Sequence, residues 1–227
     1  MARIVLGVTG SVAAIRTPEL FARLTADGHL VRIVATEPAL HFFDPSALSP
    51  CEPPGTMLGD GSPLAGGPVF RDADEWPRAG YQRGDAVLHI EFRKWADVLI
   101  VAPLDANTLG KFALGLCDNF LTCVYRAWDF ERPIVLAPAM NTLMWQHPAT
   151  LRHLRQILAD LAPAAPPLAS LDEAPGAFAR HAPRLILVPP QSKRLACGDV
   201  GPGAMAEVST IAEAVRVWGE QAPSLVE

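Results

Sequence analysis

The 227-residue chain has no apolar run long enough to cross a bilayer. Stretches such as Val98 to Pro103 fall far below the roughly 20 residues that a membrane-spanning helix requires. Secretory features are missing too: Met1-Ala2-Arg3-Ile4-Val5-Leu6-Gly7 runs straight into a strand pattern, without an apolar leader segment or cleavage site. The expectation is a cytoplasmic protein without a membrane partner. Cysteines are few, and Cys51, Cys117, Cys123 and Cys197 form no C-x-x-C pair, which excludes a disulfide framework. Cys117 and Cys123 are expected as small core residues of a helical segment. The six histidines share no ligand spacing and no H-E-x-x-H occurs, so no metal is expected. There is no G-x-G-x-x-G, and Gly10-Ser11 is not part of a G-x-S-x-G elbow, which disfavours a serine hydrolase. Basic residues number 19 against 24 acidic ones and form no stripe, which argues against nucleic acid as a partner.

What is present is an ordinary globular composition, 50% hydrophobic and 19% charged. A chain of this length buries roughly 70% of its unfolded surface, enough for one core without staples. Apolar, β-branched runs alternate with helical patterns, as in βαβ units of a parallel sheet covered on both faces. The expected strands are Arg3 to Val8, Leu30 to Thr36, Asp97 to Ala102, Pro133 to Ala137 and Arg184 to Val188. A doubly wound α/β sheet follows. Thr17-Pro18-Glu19 has the cap-then-proline order of a helix start, with Leu20, Phe21 and Leu24 on one face and Gly28 as the stop. Asn107 to Trp128 reads as helical, weakened at Gly110 and Gly115. The last helix is expected over Ala206 to Gln221, with Val208, Ile211, Ala212, Val215 and Val217 or Trp218 inward.

Two stretches break the pattern. Residues 44–80 hold seven prolines and six glycines in 37 positions, a composition expected to form an irregular loop without a strand. Residues 161–183, rich in alanine and proline, are expected to be a surface excursion. Neither is a domain boundary, so one domain is expected over 1–221 with a tail at 222–227.

Ligands of open parallel sheets bind beyond the carboxyl ends of the strands. Gly10, Ser11 and Val12 follow the first strand, where a helix start can hold a phosphate or merely make a tight turn. Asp105-Ala106-Asn107-Thr108 follows the third, with more short polar side chains than capping requires. Asn141 follows the fourth; its amide suits a substrate carboxylate or amide, or else simply opens the next helix. After the fifth comes the run from Lys193 to Glu207, where Gly198, Gly201 and Gly203 fall within six residues; it is either a mobile flap, whose Lys193 and Arg194 favour a thiolate at Cys197 and an anionic substrate, or an ordinary Gly-rich loop. His89, alone in an apolar stretch, is either a hydrogen-bonded structural residue or a proton-transfer group.

The chain resembles the flavin-dependent cysteine decarboxylases, the family of the phosphopantothenoylcysteine decarboxylases and halotolerance proteins. The resemblance runs from Ile4 to about Trp218. It rests on Gly10-Ser11-Val12-Ala13-Ala14, His89-Ile90-Glu91, Ala102-Pro103-Leu104-Asp105-Ala106-Asn107-Thr108-Leu109-Gly110-Lys111, Cys117-Asp118-Asn119, Pro138-Ala139-Met140-Asn141, and Cys197-Gly198-Asp199 with Gly203-Ala204-Met205-Ala206-Glu207. It implies a three-layer flavodoxin-like Rossmann fold with five to six parallel strands, assembled as a homotrimer with FMN at the subunit boundary. Gly10, Ser11, Val12, Thr36, Phe42, Asp105, Ala106, Asn107, Thr108 and Ala139 would hold the flavin. His89 looks like the base and Cys197 like the proton donor that completes turnover, while Asn141, Arg194, Ala196 and Met205 would contact substrate. The implied reaction converts 4′-phosphopantothenoylcysteine to 4′-phosphopantetheine in coenzyme A synthesis.

The chemistry explains why such a reaction needs a redox cofactor. Direct loss of CO₂ from an N-acyl cysteine leaves a carbanion beside nitrogen with nowhere to place its electrons. Oxidising the side chain to a thioaldehyde puts a C=S group β to the carboxylate, and decarboxylation then delivers electrons to sulfur as an enethiolate, which is reduced again. Two other roles within the resemblance are a peptidyl-cysteine decarboxylase, against which Cys197 speaks, and an inhibitory subunit of a protein phosphatase, whose acidic tail has no counterpart in Ala222 to Glu227.

Overall fold

The structure is a computed structural model that describes residues 1–52, 67–76, 80, 82–195 and 198–221, with backbone alone at 217–221. In chain order it forms β1 (Arg3–Val8), a 3-10 turn (Val12–Arg16), α1 (Thr17–Ala26), β2 (Leu30–Ala35), two more 3-10 turns (Glu37–His41 and Pro45–Ala47), β3 (Val69–Phe70), α2 (Asp72–Glu75) and α3 (Leu88–Trp95). There follow β4 (Val98–Leu104), α4 (Ala106–Leu114), α5 (Phe120–Arg126), β5 (Ile134–Pro138), α6 (Thr142–Gln146), α7 (Pro148–Leu161), α8 (Ala174–His181), β6 (Leu185–Leu187), β7 (Gln191–Arg194), β8 (Val200–Ala204) and α9 (Val208–Gln221).

The strands β3-β2-β1-β4-β5-β6 pair in that order, all parallel. Alternation along each strand separates two cores. Val5, Val34, Leu99, Val101 and Leu136 face one side, covered by α3, α4, α5, α7 and α8, whereas Ile4, Leu6, Ile33, Ile100 and Val135 face the other, covered by α1 and α9. Because both faces are covered, β4 is buried at every residue, which is why its sequence reads as an unbroken apolar run. The five expected strands are present, each within two residues of its expected bounds.

Several expectations are corrected. Val69–Phe70 adds a sixth strand beside β2, in a segment expected to contain none; two residues inside a Pro/Gly-rich stretch are too short for a periodic signal. The helix expected over 107–128 is two helices, α4 and α5, separated at Gly115, whose φ of +67° is the left-handed conformation that ends α4. Cys117 therefore lies exposed between helices rather than in the core, while Cys123 is part-buried in α5. Thr17 does not cap α1: its hydroxyl is buried without a partner among the described residues, and Ser11 caps the preceding 3-10 turn instead. The last helix begins at Val208, and its expected inward residues Val208, Ile211, Ala212 and Val215 are buried. Val217 and Trp218 side chains lie outside the described residues. The Gly-rich flap is an antiparallel hairpin of β7 and β8.

The alanine- and proline-rich stretch is not merely superficial. Within it, α8 buries Ala174, Ala177 and Phe178, the last completely, against the α7 side of the core. Phe178→Ala is expected to cost about 3–5 kcal/mol in urea unfolding, through lost apolar burial and an unfilled cavity. A loss under about 0.5 kcal/mol, typical of surface positions, would return the segment to the surface.

Candidate active site

The sheet order reverses between β1 and β4, whose outgoing connections run to opposite faces, and a crevice opens there. Thr9, fully buried, braces the crevice: its hydroxyl donates to Pro103 O (2.8 Å) and accepts from the Asp105 backbone N–H (2.7 Å), and its own backbone N–H donates to Pro103 O (3.2 Å). The Ala102-Pro103 peptide bond is cis. A cavity of about 360 Å³ lies above these strand ends.

Each expected loop contributes to it. Gly10, Ser11 and Val12 come from the β1 exit, Asp105 and Ala106 from the β4 exit, and Ala139 and Asn141 from the β5 exit. Arg194 and Met205 come from the hairpin and its continuation. Two helical starts thus border one space, and capping is visible at both: Ser11 Oγ accepts from Ala13 N at 3.4 Å, and Asp105 Oδ1 from Thr108 N at 2.7 Å. Thr36, Phe42, Asn107, Thr108 and His89 do not border the cavity. Ala196 and Cys197 lie outside the described residues.

Asn141 opens the next helix, one of its two expected roles. Its Oδ1 accepts from Leu143 N (2.8 Å) and Met144 N (3.4 Å), so its Nδ2 is turned outward as a donor and meets the Asp199 carboxylate. The hairpin approaches this loop closely. A side chain on Gly203 would place Cβ 2.3 Å from Met140 O, and Gly203 has a φ of +141°, so only glycine fits.

Charge is distributed unevenly around the cavity. Glu207 bonds Arg16 (2.7 Å) and Gln191 (2.8 Å) and lies 3.6 Å from Lys193. The hydrogen bond from Arg16, then that from Gln191, hold its carboxyl down at about 2, and Glu19 and Glu207 together raise the Arg16 guanidinium. Arg194, exposed on the same hairpin, has no ion pair among the described residues and is free to meet an anion.

His89 sits in the first turn of α3, where both its backbone N–H and its ring Nδ1 meet Glu75, at 2.9 and 2.5 Å. Glu75 was not legible in the sequence: it lies in the stretch expected to be irregular, and the one available cue was its place in an acidic Asp-x-Asp-Glu turn. Met140, Met144 and Leu195 also border the cavity, and their apolar character marks them in sequence only as core residues.

A six-stranded doubly wound sheet with its crevice at the strand reversal is the architecture of a flavodoxin-like nucleotide-binding protein. The chain belongs to the Flavoprotein family, whose model matches residues 1–218. It is 46% identical to a phosphopantothenoylcysteine decarboxylase of Arabidopsis thaliana over 97% of this chain and 87% of that one. Among solved structures, it is similar to a cysteine-to-serine mutant of a PPC decarboxylase complexed with pantothenoylaminoethenethiol, with TM-score 0.71, 44% identity and coverage of 96% and 98% of the two chains. It is also similar to the FMN binding protein AtHal3, with TM-score 0.69, 44% identity and 98% coverage of both chains.

The Glu207 contacts predict a pH signature with a definite sign. A depressed folded pKa makes a contribution to stability that is complete above the unfolded value of about 4.3 and disappears as pH falls through the folded value of about 2. The stability difference between wild type and Glu207→Gln is therefore expected to be small, because the pair is exposed, constant near neutrality, and to shrink from about pH 4.5 downward. Thermal midpoints measured across that range check it, and a difference that grows on acidification would contradict it.

Proposed function

We propose that the protein is an FMN-dependent decarboxylase that converts 4′-phosphopantothenoylcysteine to 4′-phosphopantetheine. The observation that carries this is the convergence of Gly10–Val12, Asp105–Ala106, Ala139–Asn141 and Arg194 with Met205 on one cavity. Relatives similar over nearly the whole chain bear the same activity in their names.

The residues present suit FMN. Two helical starts offer backbone N–H groups for a phosphate, and Val12, Ala139, Met140 and Met205 offer apolar wall for a planar ring. When bound, FMN supplies the two-electron oxidation of the substrate thiol and returns the electrons after CO₂ has left. The protein's own work is orientation and proton traffic. Asn141 Nδ2, held outward by its capping contacts, takes the substrate carboxylate or amide in place of Asp199. Arg194 takes an anionic group, and the hairpin closes over the substrate to exclude water. His89 accepts the thiol proton and Cys197 returns one to the enethiolate.

His89 and this cavity are brought together across a subunit boundary. Val12, Ile15, Leu143 and Met144 all border or adjoin the cavity and are 46–73% exposed, which suits burial against another copy. The assembly is a homotrimer in the cytoplasm, with the partner subunit's His89 completing each site.

Turnover tests the reading. Wild type reconstituted with FMN is expected to be yellow, to bleach anaerobically with substrate and to form reduced product. Cys197→Ser is expected to release CO₂ but stall at the oxidised enethiol, whereas His89→Asn should lose at least about 10²-fold in turnover. Colourless protein after reconstitution, or reduced product from Cys197→Ser at the wild-type rate, would defeat the assignment. Sedimentation should give a trimer; a monomer that retains full activity would remove the shared-site reading.

A further inference from the structure

The four-residue α2 secures the starts of two longer helices. Asp72 Oδ1 accepts the Phe120 backbone N–H that opens α5, at 2.8 Å. Three residues on, and so on the same face of the turn, Glu75 presents both carboxylate oxygens to α3. Oε2 accepts the His89 backbone N–H at 2.9 Å, and Oε1 lies 2.5 Å from His89 Nδ1. The Glu75 side chain is 3% exposed while that of His89 keeps 24%. The carboxylate is thus removed from water, where its hydrogen bonds are strong, and Nε2 is the ring nitrogen without a hydrogen-bond partner among the described residues.

The donor count decides the tautomer. A backbone N–H can only donate, so Oε2 is an acceptor; a carboxylate has no proton to give, so Nδ1 carries one and donates to Oε1. In the neutral ring Nε2 is then the nitrogen with the lone pair. The nearby Cys123 thiol offers no competing anion, because burial pushes it up to about 11.

We propose that Glu75 is the positioning residue for His89, fixing the ring plane and the Nδ1–H tautomer so that Nε2 takes the substrate thiol proton. This rests on the reading of His89 as the base. As the proton passes from sulfur to Nε2, the ring becomes a cation whose Nδ1–H faces a carboxylate removed from water, and this charge-assisted hydrogen bond holds the ring in place. A carboxylate is required because it alone offers two acceptors in one planar fork. Glutamine offers one acceptor and one donor, so it can keep the α3 cap through Oε1 only by donating to Nδ1, which moves the ring proton to Nε2 and removes the base.

The test uses FMN-loaded protein with ¹⁵N-labelled histidine. In wild type, His89 is expected to show a protonated Nδ1 and a bare Nε2, and in Glu75→Gln the reverse. Turnover number for Glu75→Gln should fall on the order of 10²-fold, with KM changed by less than about threefold and FMN absorbance retained. Glu75→Asp, which restores a carboxylate on a shorter arm, should recover at least about tenfold of that loss. A wild-type His89 protonated at Nε2 overturns the proposal without any variant, even if Glu75→Gln fails to fold. So does Glu75→Gln with a turnover number within twofold of wild type while His89→Asn is inactive. If His89→Asn itself retains full activity, the base assignment fails, while the tautomer exchange in Glu75→Gln still decides whether Glu75 positions the ring.

Discussion

The buried hydroxyl of Thr9 is the contact on which the site's architecture depends. At the sheet's reversal, β1 and β4 run side by side and their outgoing chains diverge, which leaves backbone groups at the split in need of hydrogen-bond partners. Thr9 satisfies three of them at once, counting its own N–H, by bonding Pro103 O and the Asp105 N–H. The β1 exit loop and the start of α4 are therefore placed relative to each other by one side chain with 0% exposure. Replacing it with valine would keep the volume and abandon two hydrogen bonds, which is not a conservative exchange in a buried setting.

A second set of contacts places the hairpin. Gly203 lets the β8 backbone rest against Met140, Met140 N donates to Gly203 O at 2.9 Å, and Gln191 reaches Met205 O and Glu207. Glu207 in turn holds Arg16, at the other side of the cavity. These exposed ion pairs add little stability, yet they occupy Arg16 and Lys193, which leaves Arg194 as the cavity-lining cation without an ion pair among the described residues. Asn141 and Asp199 form the matching contact at the other end of the hairpin.

The helix bearing His89 is anchored from the sheet as well as from α2. Arg32 on β2, 2% exposed, pairs with Glu52 at 2.9 Å and lies 4.0 Å from the Trp95 ring centroid and 5.2 Å from that of Phe92, both on α3. Desolvating such a pair offsets much of its Coulombic gain, so its contribution is geometric: guanidinium, carboxylate and two rings have few ways to be satisfied together. Phe92 also meets Phe70 and Phe120 edge to face, which links α3 to β3 and α5. His89 therefore stands on a helix held from three directions.

The sequence by itself determined five strands of the parallel sheet, the α1 and α9 faces and the loops that border the cavity, because each is written in local periodicity or in a short run beside a strand end. The β3 strand and α2 were hidden in a Pro/Gly-rich stretch, since two and four residues carry no period, and α8 was hidden by alanines whose burial depends on what packs against them. Tertiary structure alone decided that Glu75 would meet His89 across 14 residues, that Thr9 would join two loops 94 residues apart, and that Asn141 would both cap and donate. Hydrogen-bond partners far apart in the chain leave no mark on composition or spacing. They are chosen when packing of the two cores fixes which polar groups lose water and must find one another.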